Sequence, residues 1–268
     1  MIFERSKKLT SPHAFSTRTG GVSSLSSTKS LNLGFDRGDD DSVVLKNLEI
    51  FGRAAGFDKS KVVTLPQTHS TLVLDVDESF CGFGYDERNF EACGHTFADG
   101  YITNKRGVVL GVKTADCVPI LLEGRTDDGE IISVAALHAG WRGTVGGIQK
   151  NAVEKLISLY KVKPKNIFAA IGPCIHSCCF EVGHDVYEAV AALGVDYANN
   201  FCTPEEGVEG KYMCDLVGIN SRLLEGAGVP TENIDVIDEC TYCNPEKYYS
   251  HRYSGGNRGT MLSVIWMG

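Results

Sequence analysis

From about residue 100 the chain breaks into short apolar runs separated by turn-forming residues: YITN, GVVLGV, CVPILLE and IISVAALHAG. Runs of this length and content predict strands, and RTDDGE between the last two predicts a hairpin. From Thr144 the period changes to a helical one. Ile148, Ala152, Leu156 and Tyr160 then share a stripe that VKPKN ends. NIFAAIGP reads as a buried strand, HDVYEAVAALG as a helix, SRLLEGAG as part of another, and IDVIDECT and MLSVIWM as the last strands.

Upstream, HAFST predicts a strand that runs into an ordered Ser/Thr/Gly-rich loop, because Phe15, Leu31, Leu33 and Phe35 punctuate it. Asp41 or Ser42 can cap a helix over VVLKNLEIFGRAA, with Val44, Leu48, Phe51 and Ala55 on one face and Gly56 as the stop. Residues 61–76 read as two short strands meeting near Gln67–Ser70, followed by a loop over 77–98. Mixed strands with interleaved helices predict an α/β (α+β) architecture, in one domain spanning residues 1–268.

Composition narrows the function. A chain of 268 residues, 43% hydrophobic, can bury a sizeable core. A net charge of −8 argues against a nucleic-acid surface. No apolar run approaches membrane-spanning length and MIFERSKKLTSPHAF lacks a leader's apolar stretch, so no membrane partner and a cytoplasmic location are expected. In that setting the ten cysteines are expected to be thiols, buried or metal-bound.

Three features carry candidate chemistry. The first is a trio at the ends of apolar runs: His69 in PQTHS, Cys117 in KTADCVPILL and His138 in LHAGWRGT. Two His and one Cys match the three-ligand set of a catalytic zinc, which leaves one position open. Separations of 48 and then 21 residues exclude a local finger, and they suit a buried Cys with two hydrogen-bonded His equally well. The same atoms could instead form a Cys117 nucleophile with a His138 base, as in a cysteine hydrolase. Asp116 and Asp99 are candidate acid/base or supporting groups.

The second feature is a set of arginines among glycines: Arg18 in FSTRTGG, Arg142 in HAGWRGT and Arg258 in SGGNRGT. Guanidinium groups beside tight turns and a helix start suit a phosphate or another anion. Trp141 is a candidate for stacking on a base, although a core tryptophan fits as well. The third feature is GPCIHSCCFEVG with CTYC, which place Cys174, Cys178, Cys179, Cys240 and Cys243. With no second CxxC at zinc-ribbon spacing they read as structural or incidental thiols. His13, His95, His176, His184 and His251 read as ordinary hydrogen-bonding histidines.

As an ordered set, HAFSTRTGGVS, SLNLG, QTHS, ADGYIT, TADCVPILL, HAGWRGT, IGPCIHSCCFEVG, YSHR and RGTMLSVIW resemble the laccase-domain family, also called the multicopper polyphenol oxidase or YfiH-type family. The resemblance runs from about residue 13 to the C-terminus. It implies a single α/β/β/α-layered domain, distantly related to Cys-His toxins that act as deamidases. It implies His69, Cys117 and His138 as metal ligands, zinc as the metal, and Arg18 as a phosphate contact. It also implies purine nucleosides and phosphate as substrates: phosphorolysis of adenosine, inosine and methylthioadenosine, and deamination of adenosine. Bacterial relatives are further linked to editing of cell-wall precursors, which leaves a cysteine amidohydrolase using Cys117 and His138 as a second enzyme reading. A metal-stabilised interaction module is the non-enzymatic one.

One departure stands out: the family often has two arginines after the tyrosine-serine near the C-terminus, whereas this chain reads SHRYSG, with Tyr253 second. If that second arginine serves the anion, its role here falls to Arg252, to Arg258 or to no residue. Laccase chemistry itself fails on a count. Seven histidines without one His-x-His pair cannot furnish a type 1 and a trinuclear copper site. Copper at the zinc site would be adventitious.

Overall fold

A computed structural model describes residues 2–85, 94 and 97–268. Two sheets lie face to face with helices on both outer sides. The first has the order β1-β2-β14-β6-β3, from Phe3–Glu4, His13–Ser16, Met261–Trp266, Val109–Thr114 and Val62–Val63. The second has the order β13-β9-β7-β8-β5-β4, from Ile234–Val236, Ile167–Ile171, Val118–Arg125, Ile131–Ala139, Gly100–Thr103 and Val73–Asp75.

Alternation along the strands builds the layers, because successive side chains point to opposite faces. In β6, Leu110 and Val112 face the second sheet and Val109 faces the first helix, α1 (Asp41–Ala55). In β8, Val134 and Ala136 join that inter-sheet core, while Ala135 and Leu137 face away from it. There they meet Ile148, Ala152 and Leu156 of α3 (Ile148–Tyr160) and Leu216, Ile219 and Leu224 of α6 (Leu216–Gly226). The result is the expected α/β/β/α stack in a mixed α+β fold with several sheets.

Several local expectations shift. Asp40, not Asp41 or Ser42, holds the N-cap position of α1, without a side-chain cap bond, and the helix ends on Gly56 in a left-handed conformation as expected. Helical structure begins at Trp141, three residues before the expected start. Gly147, with φ 84°, divides it into α2 (Trp141–Gly146) and α3. His69 ends no strand; it sits in the loop between β3 and β4, itself at φ 61°.

A third sheet escaped the sequence pattern: β10 (Glu181–Gly183), β12 (Lys211–Cys214) and β11 (Cys202–Pro204), with α4 (His184–Ala191) and α5 (Val195–Phe201) beside it. Its register sets Cys202 opposite Cys214, and the two form a disulfide, so the expectation that all the cysteines are thiols is corrected. No helix among the described residues is long and apolar enough to cross a membrane.

Candidate active site

Cys117 immediately precedes β7, and His138 is the second-last residue of β8; the two strands pair with Pro119 opposite His138. β-sheet register therefore holds two members of the trio side by side. The third arrives on a loop, and a single carboxylate holds it there. Asp99, fully buried at the start of β5, accepts from the backbone N–H groups of Thr68 (3.1 Å), His69 (3.0 Å) and Ser70 (2.8 Å) and from the Ser70 hydroxyl (2.7 Å). The same carboxylate takes the His138 Nδ1 proton at 2.7 Å.

This network turns both rings toward Cys117. His69 Nε2 lies 3.7 Å from Cys117 Sγ, the imidazole centroids are 4.9 Å apart, and one donor atom from each of the three residues falls within 4.8 Å of the others. With Nδ1 of His138 committed to Asp99, Nε2 is the nitrogen left to serve as a ligand. Such a carboxylate–histidine arrangement fixes the ring and raises its basicity toward a metal. The soft and borderline donor set, two imidazoles and a thiol with a fourth side open to a cleft, fits zinc or another late transition metal.

The electrostatics favour the thiolate of Cys117, the form a metal ligand requires. Burial pushes the Cys117 thiol up, but His138 and His69 more than offset this and bring it down to about 6. Burial disfavours protonated His138, yet the Cys117 thiolate and Asp99 raise it to about 9. Asp99 is also raised by burial and then held down at about 2 by its bonds from His138 and Ser70. Each partner thus favours the charged form of the other, and a metal would take the place of the His138 proton.

The glycine of LHAG is needed for close approach. A Cβ on Gly140 would stand 2.6 Å from His69 Cδ2 and 3.2 Å from Cys117 Sγ. Asp116, on the other side of Cys117, has φ 96°, a left-handed backbone that costs about 1–3 kcal/mol in a non-glycine residue. Thr241 Oγ1 and the Arg252 backbone N–H hold it there, each donating to one carboxylate oxygen at 2.7 Å. Both oxygens are therefore spoken for, and Asp116 orients the Cys117 loop.

His69, Cys117 and His138 line a cleft of about 490 Å³, bounded also by Phe35, Gln67, Lys113 and Arg258. Among the described residues, the cationic side chains lining it are Arg37, Lys113 and Arg258. Arg258 is half-buried; Nη1 donates to Thr260 Oγ1 at 3.1 Å, whereas Nε is buried with no protein partner among the described residues.

Arg18 and Arg142 lie elsewhere. The Arg18 guanidinium donates to the Pro245 carbonyl at 2.7 Å and stacks on Tyr249, while Arg142 is exposed and stacks on Trp141. Trp141 borders a separate surface recess with Phe180 and Arg252. Arg37, Lys113 and Phe35 were missed from sequence, although SLNLGFDRG already marked an ordered loop. His13 is a satisfied core histidine, with Nε2 accepting from Ser6 N–H and Nδ1 bonded to the Ser11 carbonyl. His184 and His251 are exposed, His176 stands 3.5 Å from Asp238, and His95 lies outside the described residues.

Two sheets with helices on both sides and a Cys/His donor trio in a cation-lined cleft define an α+β protein with a candidate metal centre. The chain belongs to the family described as multi-copper polyphenol oxidoreductase laccase, whose model matches residues 12–268. It is 36% identical over 260 residues to adenosine deaminase RL5 from an unknown prokaryotic organism, covering 97% of this chain and 95% of that one. It is also 36% identical over 264 residues to a purine nucleoside phosphorylase of Deinococcus radiodurans, covering 97% and 91%. Its fold matches a crystal structure of the Bacillus licheniformis hypothetical protein YfiH with a TM-score of 0.87 at 29% identity, covering 96% and 92%.

Proposed function

We propose that this protein is a zinc-dependent purine nucleoside phosphorylase that also deaminates adenosine. The observation that carries the reading is the presence, in one cleft, of the His69–Cys117–His138 donor set and the cationic side chains of Arg37, Lys113 and Arg258. A ligand-binding group and an anion-binding group on the same small cavity are what a nucleoside plus phosphate require.

In this reading Arg258, with Arg37 and Lys113 on the same walls, binds phosphate. These cations hold the anion where positive charge develops on the ribose as the glycosidic bond breaks. Phe35 offers an aromatic face for the base. His69, Cys117 and His138 would hold zinc, which would supply Lewis-acid chemistry in the cleft. Asp99 fixes the tautomer of His138 and the position of His69. Asp116 keeps Cys117 aimed into the cleft. Gln67, bonded through its amide to both the N–H and the carbonyl of Lys113 at 2.7 Å, stiffens the wall. Deamination as a second reaction is supported by the similarity to adenosine deaminase RL5.

The test is chromatography of products from adenosine with and without phosphate. Adenine and ribose 1-phosphate appearing only with phosphate support phosphorolysis, and inosine without phosphate supports deamination. If metal-replete protein forms neither product from adenosine, the reading is wrong.

A further inference from the structure

Four cysteines outside this cleft converge on one point. β9 and β13 are parallel neighbours, so the segments leaving their C-terminal ends run side by side, and Cys174 and Cys240 pair there as a parallel bridge. Cys178 and Cys179 lie on the first segment, in the turn before β10, and Cys240 and Cys243 lie on the second. Cys243 Sγ is 3.3 Å from Cys179 Sγ and 3.7 Å from Cys178 Sγ, and all four sulfurs fall within 4.8 Å of one another. A tetrahedron of sulfurs around a zinc ion, with bonds of about 2.3 Å, has edges of about 3.8 Å. The Cys178–Cys243 spacing of 3.7 Å is close to that value, and the Cys179–Cys243 spacing of 3.3 Å is somewhat shorter.

We propose that Cys178, Cys179, Cys240 and Cys243 form a second metal site, a closed tetrathiolate that takes zinc. The backbone supports the thiolate form: the His176 N–H points at Cys240 Sγ at 3.5 Å. Burial raises the Cys240 thiol, yet such hydrogen bonds bring it below its usual value. Burial raises Cys178 to about 11, with Cys243 and Cys240 adding to the shift and Cys179 opposing it, and burial with Cys243 and Cys178 raises Cys179. Four sulfurs gathered within 4.8 Å of one another are a donor set that a divalent cation can draw together. Each thiol would release its proton to solvent and donate a lone pair, with no change of oxidation state. The Arg252 guanidinium, donating to the Cys179 and Glu181 carbonyls at 3.5 and 2.8 Å, lies close enough to offset the negative charge of such a cluster. Cys178 and Cys243 are exposed, so an ion has a path in from solvent.

The site would clip together the segments that hold the Cys117 loop. Ile175 N–H donates to the Asp116 carbonyl at 2.9 Å, Thr241 binds the Asp116 carboxylate, and both residues flank the cysteine cluster. It does not depend on the metal or substrate assigned to the cleft.

The test is a cobalt titration of chelated, reduced wild-type protein, followed by absorbance. Two equivalents per chain are expected, one giving the intense thiolate-to-cobalt charge transfer of a four-sulfur site. That signal should persist in Cys117→Ser and vanish in the double variant C240S/C243S. A wild-type titration that stops at one equivalent and disappears in Cys117→Ser overturns the proposal. If C240S/C243S does not fold, peptide mapping of wild-type alkylation decides. Zinc should protect these four thiols together, and their equal labelling with and without zinc, or a Cys179–Cys243 disulfide in the freshly purified protein, overturns the site.

Discussion

Asp99 accepts the Nδ1 proton of His138 at 2.7 Å while its two oxygens also gather the backbone of Thr68, His69 and Ser70. One buried carboxylate thus sets both histidines of the centre. Asp99→Asn keeps the shape but can no longer accept on every side or stabilise a charged His138. It should weaken metal binding by about 10- to 100-fold, the usual loss for a carboxylate behind a ligand histidine. Competition with a chromogenic chelator measures this, and circular dichroism should show the fold retained.

Gly140 predicts a sharper effect from a smaller change. In Gly140→Ala the new methyl would press His69 and Cys117 apart, since His69 Cδ2 would be 2.6 Å from it. Displacements approaching 1 Å at a reacting centre cost about 100-fold in rate. Metal content by mass spectrometry and kcat/KM should fall together while melting temperature changes little.

Arg258 and Arg18 separate by what they already hold. The Nε of Arg258 has no protein partner among the described residues, whereas Arg18 is tied to Pro245 and Tyr249. Arg258→Ala should raise the KM for phosphate about tenfold or more, the value of one charge-assisted hydrogen bond. It should leave the KM for nucleoside nearly unchanged. Arg18→Ala should act more weakly on phosphate and more on stability, by initial rates and thermal melting.

Glu123 makes a prediction about pH. Its side chain is fully buried on β7, accepts from the Thr10 and Ser11 backbone and pairs with Arg125. Burial pushes its carboxyl up, but the Ser11 and Arg125 partners win and hold it below the usual glutamate value. A group with a depressed folded-state pKa contributes stability above its unfolded pKa, near 4.3, and loses that contribution as pH falls through the folded value. Glu123→Gln should therefore cost about 3 kcal/mol in urea unfolding at pH 7, and the gap to wild type should narrow below about pH 4.

Much of this centre was legible in the chain because strands advertise themselves. CVPILLE and IISVAALHAG read as neighbouring strands around RTDDGE, and their pairing alone sets Cys117 close to His138. The loop carrying His69 has no such period. Its path depends on Asp99, about 30 residues away, so its left-handed backbone could not be read locally. The third sheet was hidden because EVG, CTP and KYMC are too short to show alternation. Missing it also concealed the Cys202–Cys214 disulfide. The four-cysteine cluster was hidden for a related reason: CC and CTYC are brought together by parallel strands distant in sequence.

The most direct test of the central claim is adenine release from adenosine and phosphate by one preparation, before chelation, after it, and after zinc is restored. Activity should drop at least about 100-fold on chelation and return with zinc. Full turnover in metal-free protein would contradict the claim.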